Sequence, residues 1–127
     1  MAWNNLIGKK GEQAACEFLI GRGYTVRETN WRMGHLEIDI VAHEPSANLL
    51  HIVEVKTRTG DVTHYDPMES ITPKKIRNLV AAANGYIGAY CLKMGIQYDV
   101  MIITGGAPDF TIQFIPNAFQ PPLRTVR

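Results

Sequence analysis

No stretch of this sequence reaches the roughly 18 consecutive apolar residues that a membrane-spanning helix needs. The first residues, Met1-Ala2-Trp3-Asn4-Asn5, lack a basic segment followed by an apolar one. No secretory signal is read there, and a cytoplasmic protein without membrane contact is expected. Cysteine is scarce: Cys16 and Cys91 are the only two. Both fall in predicted helices without metal-ligand spacing, so they read as reduced, packed thiols. Neither sign of charge dominates, with 13 Lys and Arg against 12 Asp and Glu and a formal net charge of +1. That balance argues against indiscriminate duplex binding. His35, His43, His51 and His64 are scattered without ligand spacing and are assigned no chemistry. Repeats, linkers and low-complexity segments are also missing.

What is present fits one domain over residues 1–127, since 127 residues with 46% hydrophobic content can bury an ordinary core. Leu6, Ile7, Gly11, Ala14, Ala15, Phe18 and Leu19 recur at helical spacing, and Gly21-Arg22-Gly23 ends that helix. Strands follow at Tyr24 to Thr29, Leu36 to Ala42 and Leu50 to Thr57, then a polar loop from about Thr59 to Ser70. Thr72 is a helix cap with Pro73 at the first helical position. Ile76, Leu79, Val80, Ala83, Ile87 and Tyr90 form the core stripe of this second helix, which runs up to Gly95 and is weakened slightly by Gly85 and Gly88. Gln97 to Thr104 and Asp109 to Ile115 are two further strands around the turn Gly105-Gly106-Ala107-Pro108. The predicted order is αβββαββ, an α+β fold of the α/β/α sandwich type with a mixed central sheet.

The chemistry concentrates in the second and third strands. Alternation puts Leu36, Ile38, Ile40 and Ala42 on one face and Glu37, Asp39 and Val41 on the other. In the third strand it groups Ile52, Glu54 and Lys56, with Glu54 and Lys56 roughly 7 Å apart. The link His43-Glu44-Pro45-Ser46-Ala47-Asn48 is rich in turn formers, so the strands form an antiparallel hairpin with Asp39 opposite or nearly opposite Glu54. Facing neighbours lie about 5 Å apart at Cβ, close enough to share a divalent cation. Two carboxylates so placed need a metal or a cationic partner such as Lys56. The competing reading is an acid and a lysine on a solvated strand face. Against it, Glu54 lies inside the apolar run Leu49 to Val55, where a charge is buried and requires a partner.

Other positions carry paired readings. Helical phase puts Glu12 at the border of the apolar stripe, facing either the sheet or solvent as a first-turn acid favoured by the helix dipole. Lys74, Lys75 and Arg77 open the second helix close in sequence to Lys56 and Arg58, as a phosphate grip or as an ordinary solvated helix end. Asp99, in an apolar strand, is expected to pair with a basic side chain.

The segments Gly8-Lys9-Lys10-Gly11-Glu12-Gln13-Ala14-Ala15, Gly23-Tyr24, Asn30-Trp31-Arg32, Glu37-Ile38-Asp39-Ile40-Val41-Ala42, Val53-Glu54-Val55-Lys56-Thr57-Arg58 and Tyr98-Asp99-Val100 together resemble the YraN family of bacterial proteins. That family lies within the restriction-endonuclease-like superfamily, signature PD-(D/E)XK, and is related to archaeal Holliday-junction resolvases. Ile38 stands where the superfamily's name puts proline, and Leu36 where many relatives have glycine. Neither change removes a ligand. The resemblance implies a restriction-endonuclease-like core and a nuclease that needs Mg²⁺ or Mn²⁺. Asp39 and Glu54 would be its ligands, Lys56 would sit beside the attacked phosphate, and Glu12 would contribute. It also implies nucleic acid as partner, DNA in preference to RNA and branched or structured forms among its substrates, and it suggests a homodimer. A non-catalytic nucleic-acid-binding module with the same fold is the alternative. A third reading, an ion-pair cluster in a structural protein, predicts no divalent-cation binding.

Overall fold

The computed structural model describes residues 6–58, 66–106 and 109–121. Helix α1, Leu6–Gly21, precedes strands β1, Thr25–Met33, β2, Leu36–Glu44, and β3, Leu49–Arg58. Helix α2, Pro73–Tyr90, then leads to β4, Gly95–Gly106, and β5, Asp109–Phe119. The strands form one sheet in the order β1-β2-β3-β4-β5. All neighbours are antiparallel except β3 and β4, which pair in parallel across the α2 crossover. A parallel pair needs such a crossover, which α2 supplies.

The two helices cover opposite faces. Ala15 and Leu19 of α1 pack with Ile40, Ala42, Val53, Val55, Met101 and Ile103. Leu79, Ala82, Ala83 and Tyr86 of α2 pack with Ile38, Val41, Leu50, Ile52 and Tyr98. The expected α+β sandwich and its element order are therefore present. β3 is central and buried from Leu50 to Val55, as its apolar run implies.

Helix ends follow local chemistry. Gly23, at φ +90, closes α1 with its N–H on the Ile20 carbonyl at 2.9 Å, while Tyr24 donates to Leu19 at 3.1 Å. This pair of hydrogen bonds is a Schellman close. α2 starts where Thr72 Oγ1 accepts from the Lys75 N–H at 3.1 Å. It stops at Tyr90 and not near Gly95, because Cys91 turns left-handed and Leu92 donates back to the Ile87 carbonyl at 3.1 Å. Cys91 is consequently an exposed residue beyond the helix and not a packed one, whereas Cys16 is half-buried in α1. The core stripe of α2 also differs: Ala82 and Tyr86 are buried while Tyr90 is 46% exposed, since the sheet covers a narrower arc than the apolar residues span. Part of the polar loop and the residues Ala107 and Pro108 lie outside the described residues. The last described turn before α2 is a 3-10 helix, Pro67–Ser70, capped by Asp66.

Candidate metal and nucleic-acid site

Strict alternation fails in the middle of β2. Leu36 and Ile38 pack on the α2 side, but Ile40 and Ala42 pack on the α1 side. The pleat breaks at Asp39. On β1, Asn30 takes the left-handed conformation at φ 53. The β1–β2 ladder runs Thr29↔Ile40 and Trp31↔Ile38, skipping the Asn30 and Asp39 pair between them. On the other side the β2–β3 ladder ends at Ile40↔Val53, one step short of setting Asp39 against Glu54. Asp39 fills the gap with its side chain, Oδ2 accepting from the Val55 N–H at 2.8 Å. The strand thus frees its own backbone and turns a carboxylate toward the third strand.

Glu54 is buried on the α2 face. Its Oε2 lies 3.2 Å from Lys56 Nζ and 3.1 Å from Lys75 Nζ. Burial and then the Glu54 carboxylate push Asp39 up to about 7, against the opposing pull of the Val55 N–H and the Lys75 ammonium. Asp39, Glu54, Lys56 and Lys75 are therefore one electrostatic unit, in which two acids face two ammoniums. The carboxylate donors are hard oxygens and suit Mg²⁺ or Mn²⁺. Among the described residues no three His, Cys, Asp or Glu side chains gather as for a metal. The protein's own contribution would be two carboxylates, a number that fits a cation which keeps several waters.

The other predicted residues are placed differently. Glu12 lies on α1, across the sheet from α2, and accepts a hydrogen bond from Asn30 Nδ2. Asn30 lies across from Asp39 in the break of the β1–β2 ladder, and its Oδ1 is buried without a hydrogen-bond partner. Lys74 and Arg77 are exposed on the first turns of α2, and only Lys75 of that trio reaches the acids. Arg58, at the end of β3, donates to the Thr57 carbonyl at 2.8 Å. Glu37 sits at the rim and pairs with Arg32 at 3.6 Å.

One polar cluster escaped the sequence reading. His51, 1% exposed, sits between Asp99 Oδ2 at 2.6 Å from Nδ1 and Glu44 Oε1 at 2.7 Å from Nε2. Tyr24 stacks on its ring at 4.5 Å. Burial opposes the imidazolium, yet the hydrogen bonds and charges of Asp99 and Glu44 together hold the His51 pKa above its ordinary value. Asp99 also accepts from Gln97 Nε2 at 3.0 Å and from the Asn117 N–H at 2.9 Å. The basic partner expected for Asp99 is therefore His51. The signal lay in a histidine inside one apolar run and an aspartate inside another, since buried polar groups demand partners.

Comparison with known proteins places the chain. The model of a family described as uncharacterised protein family UPF0102 matches residues 11–103. A UPF0102 protein of Bacteroides fragilis is 43% identical over 123 residues, 97% of this chain and 99% of the relative. A second, from Phocaeicola vulgatus, is 38% identical over 124 residues, again 97% and 99%. A third, from Flavobacterium psychrophilum, is 39% identical over 119 residues, 94% and 98%. Among solved structures, the SPO1766 protein of unknown function from Silicibacter pomeroyi superposes with a TM-score of 0.40 and 12% identity, over 88% of this chain and 73% of that one. The similarity to YraN-like proteins that the motifs carried is borne out at this level: the chain belongs to the UPF0102 family.

Proposed function

We propose that the protein is a Mg²⁺- or Mn²⁺-dependent phosphodiesterase acting on nucleic acid, DNA in preference to RNA, with branched or structured DNA among its substrates. The observation that carries this reading is Glu54, a buried carboxylate beside Asp39 with the Lys56 ammonium at 3.2 Å. A structural protein has little reason to set a half-buried acid beside a buried one, because each raises the cost of ionising the other. A cation held by Asp39 and Glu54 would supply polarisation of a phosphoryl oxygen and a more acidic bound water. Lys56, fixed two residues along the same strand, is positioned to stabilise charge developing on the phosphate or to orient the attacking water. Arg58, Lys74 and Arg77 provide phosphate contacts along the strand end and the start of α2. Glu12 acts at one remove, through Asn30.

A second reading has its own support. Lys56 and Lys75 already neutralise Glu54, and Val55 already satisfies Asp39, so the site is stable as a nucleic-acid-binding surface that does not cut. A screen of linear, branched and flapped DNA and RNA with Mg²⁺ or Mn²⁺, against an Asp39→Ala control, separates the two. Cleavage lost in the control supports the enzyme. Binding of the same substrates without cleavage, by protein shown to have bound the cation, establishes the binding module.

A further inference from the structure

Lys75 differs from every other cation near the site. It is the third residue of α2, and its backbone is fixed because its N–H is the donor that Thr72 caps at 3.1 Å. From that anchored start the side chain crosses to the sheet and places Nζ 3.1 Å from Glu54 Oε2, the same oxygen that Lys56 approaches at 3.2 Å. Its charge also favours the ionised form of Asp39, so one ammonium acts on both carboxylates. A divalent cation held by the two acids would have to displace that ammonium from Glu54. Lys56 belongs to the same strand as Glu54 and its side chain is 22% exposed, whereas Lys75 comes from the opposite layer and is 38% exposed. Lys75 therefore has the water and the free stem needed to leave.

We propose that Lys75 is a resident counter-ion: it balances Glu54, beside Asp39, in the metal-free protein and is exchanged for a divalent cation, which frees its ammonium for a substrate phosphate. This rests on the metal-binding reading above. It makes Lys75 a positioning residue with two alternating partners, unlike Lys74 and Arg77, whose exposed side chains serve phosphate alone. Such an exchange means that cation and lysine compete for the same oxygen, so removing the lysine should tighten cation binding instead of weakening it.

The test is calorimetric titration of Mn²⁺ into wild-type, Lys75→Met, Lys75→Gln, Lys75→Arg and Lys93→Met proteins, with Tm measured in chelator and in excess Mn²⁺. Lys93 is exposed at the approach to β4 and controls for the loss of one positive charge anywhere on the surface. The expected result is Mn²⁺ affinity raised at least threefold in Lys75→Met and Lys75→Gln, and close to wild type in Lys75→Arg and Lys93→Met. In chelator Lys75→Met should melt lower than wild type, and Mn²⁺ should raise its Tm by more. Lys75→Gln retains a hydrogen-bond donor to Glu54 and keeps the experiment decisive if Lys75→Met does not fold. Wild-type binding with unchanged or weaker affinity in both variants would overturn the counter-ion role and leave the metal reading intact. An equal rise in Lys93→Met would reduce the effect to net charge and overturn it too. If no protein binds Mn²⁺, the metal reading and this proposal fall together.

Discussion

Replacing Asp99 by asparagine isolates one proton in the buried cluster on the α1 side of the sheet. His51 and Asp99 are 1% and 0% exposed, so neither can call on water when the other changes. A protonated His51 donates to both carboxylates. Asp99→Asn leaves an amide oxygen to accept from the Asn117 N–H, while the amide nitrogen faces Nδ1, which can accept only as neutral imidazole. A charge-assisted hydrogen bond becomes a neutral one, at a cost of about 1–2 kcal/mol. Asp99→Ala deletes the acceptor outright and strands the imidazolium and two further donors, costing about 3–5 kcal/mol. The pH dependence is more telling. Because the fold raises the His51 pKa above 6.5, its contribution is complete below pH 6.5 and is lost as pH rises through the folded value. The slope of that loss is at most about 1.4 kcal/mol per pH unit, one proton's worth. Asp39, held at about 7 against an ordinary 3.8, also lowers stability with rising pH, but between those two values and in both proteins. Urea unfolding from pH 5.5 to 9 should therefore show Asp99→Asn with a shallower decline than wild type above pH 6.5. Identical slopes, or a loss no larger in Asp99→Ala than in Asp99→Asn, would refute the imidazolium assignment.

Asp39→Asn and Glu54→Gln should each abolish or strongly weaken Mn²⁺ binding by calorimetry, and binding unchanged in both would dismiss them as ligands. Lys56→Met should lower cleavage by orders of magnitude while nucleic-acid affinity moves by less than about tenfold, or roughly 1.4 kcal/mol; equal losses in both would make Lys56 a uniform phosphate contact. The double change Lys74→Ala and Arg77→Ala should weaken nucleic-acid affinity and flatten its salt dependence, and an unaltered salt slope moves the contact surface elsewhere. Gly88 is exposed on α2, and a methyl added at its Cα would meet nothing within 4 Å. Gly88→Ala should therefore raise stability by about 1 kcal/mol through helix propensity alone, and a lower Tm would show an unsuspected contact.

The fold could be read from one sequence because its signals are local and mutually consistent. Thr72-Pro73 starts α2, Gly23 ends α1, and Pro45 to Asn48 turn β2 into β3. The grouping of Glu54 with Lys56 followed from strand periodicity, and the approach of Asp39 followed from the hairpin. Periodicity misplaced Ile38 relative to Ile40 because it assumes an unbroken pleat. Asn30 sits outside that hairpin, and its left-handed turn is visible only once β1 is paired. Lys75 and Lys74 are neighbours in sequence with the same side chain. The roughly 100° of helical phase between them, and the face that α2 turns to the sheet, decide that Lys75 reaches Glu54 and Lys74 is exposed. His51 and Asp99 were separately legible as buried polar residues, but their meeting depends on the parallel pairing of β3 with β4, which no local pattern encodes. Half-buried Asp39 and buried Asp99 also share a task. Each accepts a backbone N–H: Asp39 that of Val55 where the β2–β3 ladder ends, Asp99 that of Asn117 where the β4–β5 ladder shifts register.

The parallel pairing of β3 with β4 favours one order of assembly. Asp39 and Glu54 meet through a hairpin whose strands are joined by a short turn, so their encounter involves little loop-closure entropy and belongs to the fast, local part of folding. Lys75 reaches them only when α2 docks, and the β3–β4 ladder closes over that whole crossover. Loop closure thus favours bringing the two carboxylates together before the ammonium that balances Glu54 arrives. A divalent cation present during refolding would meet the hairpin in this unbalanced condition. The refolding rate, and not only the final stability, is then expected to rise with Mn²⁺ concentration, and to do so through Asp39 and Glu54.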